Sequence, residues 1–521
     1  MRLSPLVGCS LPAILSVGLV SCSLLGAVRQ TAALQLSFIG TGVVLLAWTA
    51  GMYGLAHRAG RILTLAIAVR KQHYVQALAQ GIFLMYWGWY WRPVYDAAFL
   101  IAAQLVFAYA FDMLLCWSRR DTYTCGFGPF PIIFSINLFL WFADDWFYLQ
   151  FLLVALGFTA KELIRWEKGG RQVHIFNPSS FPLAIFSLAL ILTGTSNLTW
   201  GQDIATSQFY PPHVYLVLFL VALPGQFLFG VTSMTMSAVA VTYLFGLLYF
   251  AATGVYFFYD SYIPIAVFLG MHLLVTDPST APRTGLGRVL YGALYGLSTI
   301  ALYALLSRAG VPPFYDKLLQ VPLLNLSIQQ LDRLAHSSRL PFFASAARGR
   351  RILPRHLGSV ANWAILFIVM SAAQGVGDRH PGQWVPFWRE ACADGRPHAC
   401  PYLMNMYLRF CRSGSGWACN EAGLLQVEPA DDNEDRLPSN VATSLARGCE
   451  LGFEPACRNL TRHTTERMPF ERAEPTLDDY PILLRGTKGP IPQRSSAALY
   501  ARACDQGWVD ACTRRASDPE R

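Results

Sequence analysis

Charge is what this sequence has least of. Only 14% of its 521 residues are Asp, Glu, Lys or Arg, where a soluble chain carries roughly 25%. Acid is scarcest in residues 1–375, which hold 12 acidic and 23 basic side chains; residues 376–521 hold 20 and 18. The positive surplus therefore belongs to the greasy part of the chain. That excludes a single soluble globule, an intrinsically disordered chain and a nucleic-acid-binding protein. A P-loop, a dinucleotide fingerprint, a zinc motif and a nucleophile elbow are also missing, so no catalytic or metal-ligating set is assigned and no self-sufficient enzyme is expected.

What is present is apolar: 54% of the residues are hydrophobic, 13% are aromatic and the mean hydropathy is +0.35. Runs long enough to cross a bilayer, or nearly so, fall at 10–28, 32–55, 75–91, 94–117, 130–164, 176–194, 213–250, 251–275, 289–307 and 358–375. Several of these must hold two helices or half-helices. The first run continues past the lipobox-like Leu19-Val20-Ser21-Cys22 and is followed by more spans, which reads as a first helix and not a cleaved signal.

Loop charge gives the expected orientation. Arg58, Arg61, Arg70 and Lys71 form one basic loop, and Lys161, Arg165, Lys168 and Arg171 another. Arg333, Arg339, Arg348, Arg350, Arg351 and Arg355 precede the last span. All three belong on the cytoplasmic side, which places residues 376–521 outside. The segment 196–212, whose single charge is Asp203, belongs outside as well.

One hexapeptide recurs. Asn177-Pro178-Ser179-Ser180-Phe181-Pro182 returns as Asp277-Pro278-Ser279-Thr280-Ala281-Pro282, with the first prolines 100 residues apart. Each copy reads as a helix start, with Asn or Asp as N-cap and Pro at the first helical position. Two such starts inside a membrane domain are the pattern of a duplicated fold with a site at the repeat interface. Two capped helices at a membrane boundary would read the same way. Asp96 and Asp112 lie in apolar surroundings, and an intramembrane carboxylate is a candidate for an ion path; either also suits the end of a span. Cys116 and Cys125 are too few for an iron–sulfur cluster unless a partner supplies two more. The run Tyr86–Trp91 reads as an interfacial aromatic belt.

Residues 161–181, KELIRWEKGGRQVHIFNPSSF, and 276–292, TDPSTAPRTGLGRVLYG, together with the preceding SINLFLWFADDWFY, resemble the membrane subunit family of the Rnf complex D subunit and the sodium-pumping NADH:quinone reductase B subunit. The resemblance spans about 60–330. It implies two inverted repeats of membrane helices, a role in electron transfer and FMN joined through its phosphate to a threonine in a Ser-Gly-Ala-Thr-like motif on the outer side. The equivalent place here reads Asp203-Ile204-Ala205-Thr206. Thr206 is the implied attachment point and Ile204 stands where glycine is expected; a noncovalently bound flavin, with Thr206 an ordinary loop threonine, is the other reading. Asn177, Pro178, Asp277 and Pro278 are the implied flavin-side turns. Other membrane or periplasmic redox subunits are the implied partners.

Eight of the twelve cysteines lie in the tail, in four pairs of one spacing: Cys392 and Cys400, Cys411 and Cys419, Cys449 and Cys457, Cys504 and Cys512. Each pair has glycine three after the first cysteine (Gly395, Gly414, Gly452, Gly507) and alanine before the second (Ala399, Ala418, Ala456, Ala511). Glycine permits the left-handed turn that ends a helix, and alanine allows close approach in the next. Each unit therefore reads as helix, turn, helix with a disulfide across it, on the oxidising side of the membrane. The pattern resembles the cysteine-rich Sel-one-like repeats, which implies a solenoid that binds a protein partner. Insertions at 429–439 and 461–495 interrupt it.

The expected fold is thus all-α: a polytopic membrane helix bundle with an inverted repeat, and a C-terminal disulfide-stapled α-solenoid. Its divisions are a membrane domain at 1–330, a basic cytoplasmic loop at 331–357, a last transmembrane helix at 358–375 and the repeat domain at 376–521. The expected function is a flavin-associated membrane subunit of an electron-transfer, redox-driven ion-transport complex in a bacterial inner membrane, with the repeat domain periplasmic. A nonredox anchor or assembly scaffold and a small-molecule transporter are the alternatives on the same scaffold.

Overall fold

The computed structural model describes residues 1–167, 170, 172–335, 352–373, 376–377, 380–427, 438–465, 470–484 and 495–517. Lys168, Arg171, Arg339, Arg348, Arg350 and Arg351 lie outside the described residues, as do 429–437, 466–469 and 485–494 of the two insertions. The chain divides into two compact units. Unit 1 holds Met1–Thr242 and Ile265–Met370; unit 2 holds Tyr243–Pro264 and Ser371–Arg521.

Unit 1 is mostly helical. In chain order it runs β1 (Arg2–Leu3), α1 (Pro5–Cys22), α2 (Gly26–Arg29), α3 (Ala32–Arg58), β2 (Leu63–Ile67), α4 (Lys71–Tyr90), α5 (Pro93–Asp96), α6 (Ala98–Arg119) and β3 (Thr122–Cys125). There follow α7 (Pro129–Asn137), α8 (Tyr148–Leu163), β4 (Arg165–Glu167), β5 (Gln172–His174), α9 (Ser180–Thr193), α10 (Gly201–Ser207), α11 (Val214–Phe229) and the first half of α12 (Thr232–Thr253). It closes with α13 (Ile265–Leu269), which continues as a π turn over Gly270–Leu274, then α14 (Gly285–Arg308), α15 (Val321–Ala335) and α16 (Ile352–Ala372).

Among the described residues five helices, α1, α3, α6, α12 and α14, are long and apolar enough to cross a membrane. The α9, α11 and α13 segments and His356–Ala372 are shorter apolar helices. The run at 130–164 divides into α7 and α8. The run at 251–275 does not form a span: α12 ends at Thr253, Gly254 turns with φ 72°, and helix resumes only at Ile265. Two small sheets modify the all-α expectation. β1 pairs antiparallel with β2, β2 pairs parallel with β3, and β4 and β5 form a hairpin. The first sheet ties the amino terminus, whose ammonium donates to the Leu65 carbonyl at 2.7 Å.

Local chemistry fixes the helix ends. Ser4 accepts from Val7 N with Pro5 at the first position of α1. Thr284 Oγ1 accepts from Gly287 N at 3.0 Å at the start of α14, and Asp332 from α15 accepts from Arg283 N and Thr284 N, each at 3.0 Å. Gly292 lets α14 touch α12 directly, since a β-carbon there would lie 2.0 Å from the Met234 carbonyl oxygen. Close backbone approach through small residues is how apolar helices gain packing where lipid offers no hydrophobic advantage.

Unit 2 builds a second core. Its helices are α17 (Val385–Ala393), α18 (Ala399–Arg412), α19 (Gly416–Val427), α20 (Ser439–Glu450), α21 (Glu454–Thr465), α22 (Tyr480–Leu483), α23 (Ser496–Asp505) and α24 (Val509–Ser517). Gly395, Gly414, Gly452 and Gly507 all have positive φ, from 67° to 102°, at the turns, and Ala399, Ala418, Ala456 and Ala511 are completely buried. All four expected disulfides form, with Cα–Cα distances of 4.6–4.7 Å. Helix α18 is stapled at both ends, by Cys400 to α17 and by Cys411 to α19. Asp479 ties α22 to α19 by accepting from Ser415 Oγ at 2.6 Å and Trp417 N at 3.3 Å.

The segment Tyr243–Pro264 belongs to this core, which corrects the expected boundary at residue 376. Tyr256 packs on His380, Phe387 and Trp388. Arg396 donates to the Gly254 carbonyl at 3.0 Å, and Arg409 lies over the Tyr259 ring at 5.9 Å. His380 is buried between Tyr256 and Tyr262; its Nδ1 accepts from Gly382 N at 3.1 Å, which leaves the proton on Nε2. Burial pushes its pKa down to about 3.

Two outcomes follow for unit 2. Nonreducing peptide mapping is expected to return the four bridges within their eight-residue spacings, and removing the Cys411–Cys419 bridge by double serine substitution is expected to destabilise the unit by about 2–3 kcal/mol; a bridge between different pairs would contradict this architecture. Because folded His380 resists protonation while unfolded histidine titrates near pH 6.5, stability falls as pH drops from that value toward 3. Between pH 6 and 4 the loss is expected to be about 2 kcal/mol, and His380→Asn should flatten that slope in denaturant titrations.

Candidate functional site

The two hexapeptide turns meet. Asn177 Oδ1 accepts from Ser179 N at 2.9 Å, Ser179 Oγ at 2.7 Å and Ser180 N at 3.1 Å, and so caps the start of α9. Its Nδ2 donates to the Leu274 carbonyl at 2.9 Å, three residues before Asp277. Asp277 repeats the capping, accepting from Ser279 N at 3.0 Å and Thr280 Oγ1 at 3.3 Å. His174 Nε2 lies 3.3 Å from Asp277 Oδ2, which joins β5 to the second turn. Burial alone would raise the Asp277 carboxyl, but the hydrogen bond and charge of His174 and the amide of Ser279 hold it below the usual carboxylate range. Pro178 and Pro278 occupy the positions that follow the caps, Pro278 opening a 3-10 turn.

Behind the turns stands the π turn of residues 270–274. A π turn breaks the regular i to i−4 pattern and is common at functional positions. Its carbonyls are taken by side chains from several elements: Met271 O by Thr235 of α12 at 3.0 Å, Leu273 O by Gln76 of α4 at 3.4 Å, Leu274 O by Asn177 and His272 O by Thr276 at 2.7 Å. Asn325 of α15 completes the junction, accepting from Asn177 N and donating to the Tyr291 hydroxyl, both at 3.0 Å. No sequence pattern pointed to Gln76, Thr235, His272 or Asn325. The available signal was a lone amide, hydroxyl or imidazole within an apolar run.

The same device recurs at the end of α7. Gln208 donates to Leu138 O at 2.6 Å, Trp141 Nε1 to Asn137 O at 2.6 Å and Gln150 to Leu140 O at 3.4 Å. Beside it Trp87, Trp91 and Trp141 stack with ring centroids 5.0–5.8 Å apart. Trp87 is fully buried and donates to Ser207 Oγ at 3.3 Å, so the aromatic run is part core and only part surface belt.

Asp96 and Asp112 have different surroundings. Asp96 ends the exposed turn α5, and Asp112 lies in the fourth turn of α6, about 21 Å along the axis from its start. Asp112 is buried with Lys161 at 3.7 Å, next to Glu162, which gathers Arg120, Arg165 at 2.8 Å and Arg119 at 3.9 Å. Cys116 Sγ sits 3.9 Å from both Asp112 and Glu162 and belongs to this paired cluster.

Thr206 lies on α10, the next α-helix in sequence after the α9 that the Asn177 turn opens. The hydroxyl, half-buried on the last turn of α10, donates to Gln202 O at 2.9 Å. Ile204 is buried and anchors α10. Asp203 lies one turn earlier, Thr206 sits at the negative end of its helix, and Lys317 on the neighbouring 3-10 turn is engaged by Asp316 at 3.0 Å and by the Phe314 carbonyl. These surroundings do not fit a phosphate ester.

Among the described residues no His/Cys/Asp/Glu group is arranged to hold a metal ion. The chain matches no protein-family model, no curated protein and no solved structure.

The junction predicts separable losses. Asn177→Ala removes the cap, worth about 1 kcal/mol, and leaves a buried carbonyl without its donor, about 1–3 kcal/mol more. Asn177→Asp keeps the cap but loses the donor and sets a buried carboxylate oxygen against the Leu274 carbonyl. Thermal unfolding of detergent-purified protein is expected to place both variants below wild type; melting of Asn177→Asp equal to wild type would mean that the turns are not coupled.

Proposed function

We propose that this chain is the membrane-embedded subunit of a larger assembly, in which an inverted-repeat helix bundle holds a disulfide-stapled repeat domain outside a bacterial inner membrane for a protein partner. The observation that carries this reading is the incorporation of Tyr243–Pro264 into the core of unit 2. Its core thus draws on the end of α12 and the segment after it as well as on the cysteine-paired helices. The basic loops and the four bridges support the same outward placement of the tail.

The paired turns support a scaffold of the kind found in the Rnf D and sodium-pumping reductase B subunits. An electron-transfer role would further need a flavin, and the Thr206 loop does not suit one joined through phosphate. The nonredox form of the reading is therefore preferred.

The two forms are separated by in-gel fluorescence of denatured protein coexpressed with its native flavin-attaching enzyme, beside Thr206→Ala. The expected result is no covalent flavin in either, with one partner copurifying in stoichiometric amount and released on reduction of the disulfides. Fluorescence lost only in Thr206→Ala would restore the electron-transfer role. A monodisperse lone chain under native extraction would overturn the assembly reading.

A further inference from the structure

Part of the second insertion lies along the stapled helices of unit 2 as an extended strap. Residues 470–476 form neither helix nor strand, and from Glu471 to Thr476 buried or half-buried positions alternate with exposed ones. A period of two marks an extended chain with one edge against a surface. That surface is made by α17, α19 and α21.

The grip is largely on the main chain. Asn459 Oδ1 accepts from Glu471 N at 2.7 Å while its Nδ2 donates to Glu471 O at 2.9 Å, so one side-chain amide meets both backbone groups of one residue. Two residues along, the Trp417 indole donates to Ala473 O at 2.8 Å. Asn459 is itself held by donating to Asn420 Oδ1 at 2.8 Å, and Trp417, Asn420 and Asn459 are completely buried. The gripping residues come from equivalent places in successive units: Asn420 and Glu421 follow Cys419, and Arg458 and Asn459 follow Cys457. Charge adds selection. Arg458 holds the Glu471 carboxylate through two bonds of 2.8 Å, Arg389, over the Trp417 ring at 5.7 Å, lies 3.9 Å from Glu474, and the buried Glu421 lies 3.8 Å from Arg472.

The strap has two parts. From Thr476 onward it is integral to the core: Asp479 accepts from Thr476 N at 3.0 Å and from Ser415 Oγ at 2.6 Å, and Tyr480 is fully buried. Residues 470–474 are held otherwise. Bonds that read amides and carbonyls accept any extended chain, and the side chain gripped most closely is Glu471, by a bidentate arginine. A surface of this kind, built from successive repeats, takes a peptide from another protein as readily as one from its own chain.

We infer that the face formed by Arg389, Trp417, Asn420, Arg458 and Asn459 is a docking groove for an extended peptide of a partner protein that places a glutamate on Arg458, and that residues 470–474 fill it in cis until such a peptide displaces them. The inference rests on the reading of unit 2 as a partner-binding module and gives the docking segment its chemistry. Tethered close to its anchor at Asp479, the resident strap acts at an effective concentration of roughly millimolar order, so a partner must hold the groove tightly or engage the repeats at a second place.

Detergent-purified full chain is titrated with a fluorescein-labelled peptide of the sequence of residues 470–475, and with the same peptide carrying lysine in place of the glutamate, binding being read by fluorescence anisotropy. Glu471→Lys sets like charges together at Arg458 and so unseats the strap while leaving the groove unchanged. It is expected to bind the glutamate peptide about tenfold more tightly than wild type does, and more tightly than the lysine peptide. Arg458→Glu unseats the strap but reverses the groove, and is expected to prefer the lysine peptide. Should Glu471→Lys fail to elute as a folded species, Glu471→Gln, which keeps the shape and loses only the charge, gives the same comparison with wild type. Equal affinity of wild type and the unseated variants, or no reversal of preference in Arg458→Glu, would overturn the groove. The titration contains no partner protein, so a partner copurifying with a chain that binds neither peptide would overturn the groove alone and leave the partner-binding reading standing.

Discussion

A helix that stops inside an apolar bundle leaves carbonyl oxygens that water cannot reach, and unit 1 is organised around that demand. Among the described residues α7 and the α13 segment with its π turn stop this way. Beside the local Trp141 and Thr276, the donors that answer them come from elsewhere in the chain: Gln76, Gln150, Gln208, Thr235 and Asn177. These bonds set which helices are neighbours more sharply than apolar contact does, because lipid and leucine are interchangeable solvents for a leucine but not for a carbonyl. The convergence of the two hexapeptide turns is one consequence. Asn177 reaches Leu274 because that carbonyl has no donor within its own segment.

Charge at one end of the bundle obeys a related rule. Arg119, Arg120 and Arg165 surround the buried Glu162, and Lys161 faces Asp112. Arginines and lysines that read along the sequence as markers of the cytoplasmic side are thus also the counter-charges that allow two carboxylates to be buried at all. Removing one acid would leave several cations confined together, whereas removing one arginine would leave Glu162 with two.

The tail was the most legible part, because a cysteine spacing repeated four times, with glycine and alanine at fixed offsets, admits few geometries. The hexapeptide repeat was legible for the same reason: cap, proline and hydroxyl residues each have a specific use at a helix start. The half-helices were not. An apolar run states that a segment is shielded from water and says nothing about where its hydrogen bonds end, so 251–275 reads as a span although Gly254 and Pro264 interrupt it. Gln76 and Gln150 stand alone among apolar neighbours, and only the carbonyls they meet in space give them meaning. Thr206 was visible as a motif ending, but the short helix that carries it, with Ile204 as its buried anchor, was not.

Unit 2 is discontinuous in sequence, and that has a consequence in time. Tyr256 and Tyr259 pack on Trp388, yet more than 120 residues separate them along the chain. At ordinary rates of synthesis, the aromatic segment exists for roughly 6 to 25 seconds before its partner has been made. During that interval five aromatic rings between Gly254 and Pro264 have no core to enter. Unit 2 therefore closes only once Trp388 has been made, and a chain terminated before that residue would leave those rings behind as an adhesive edge.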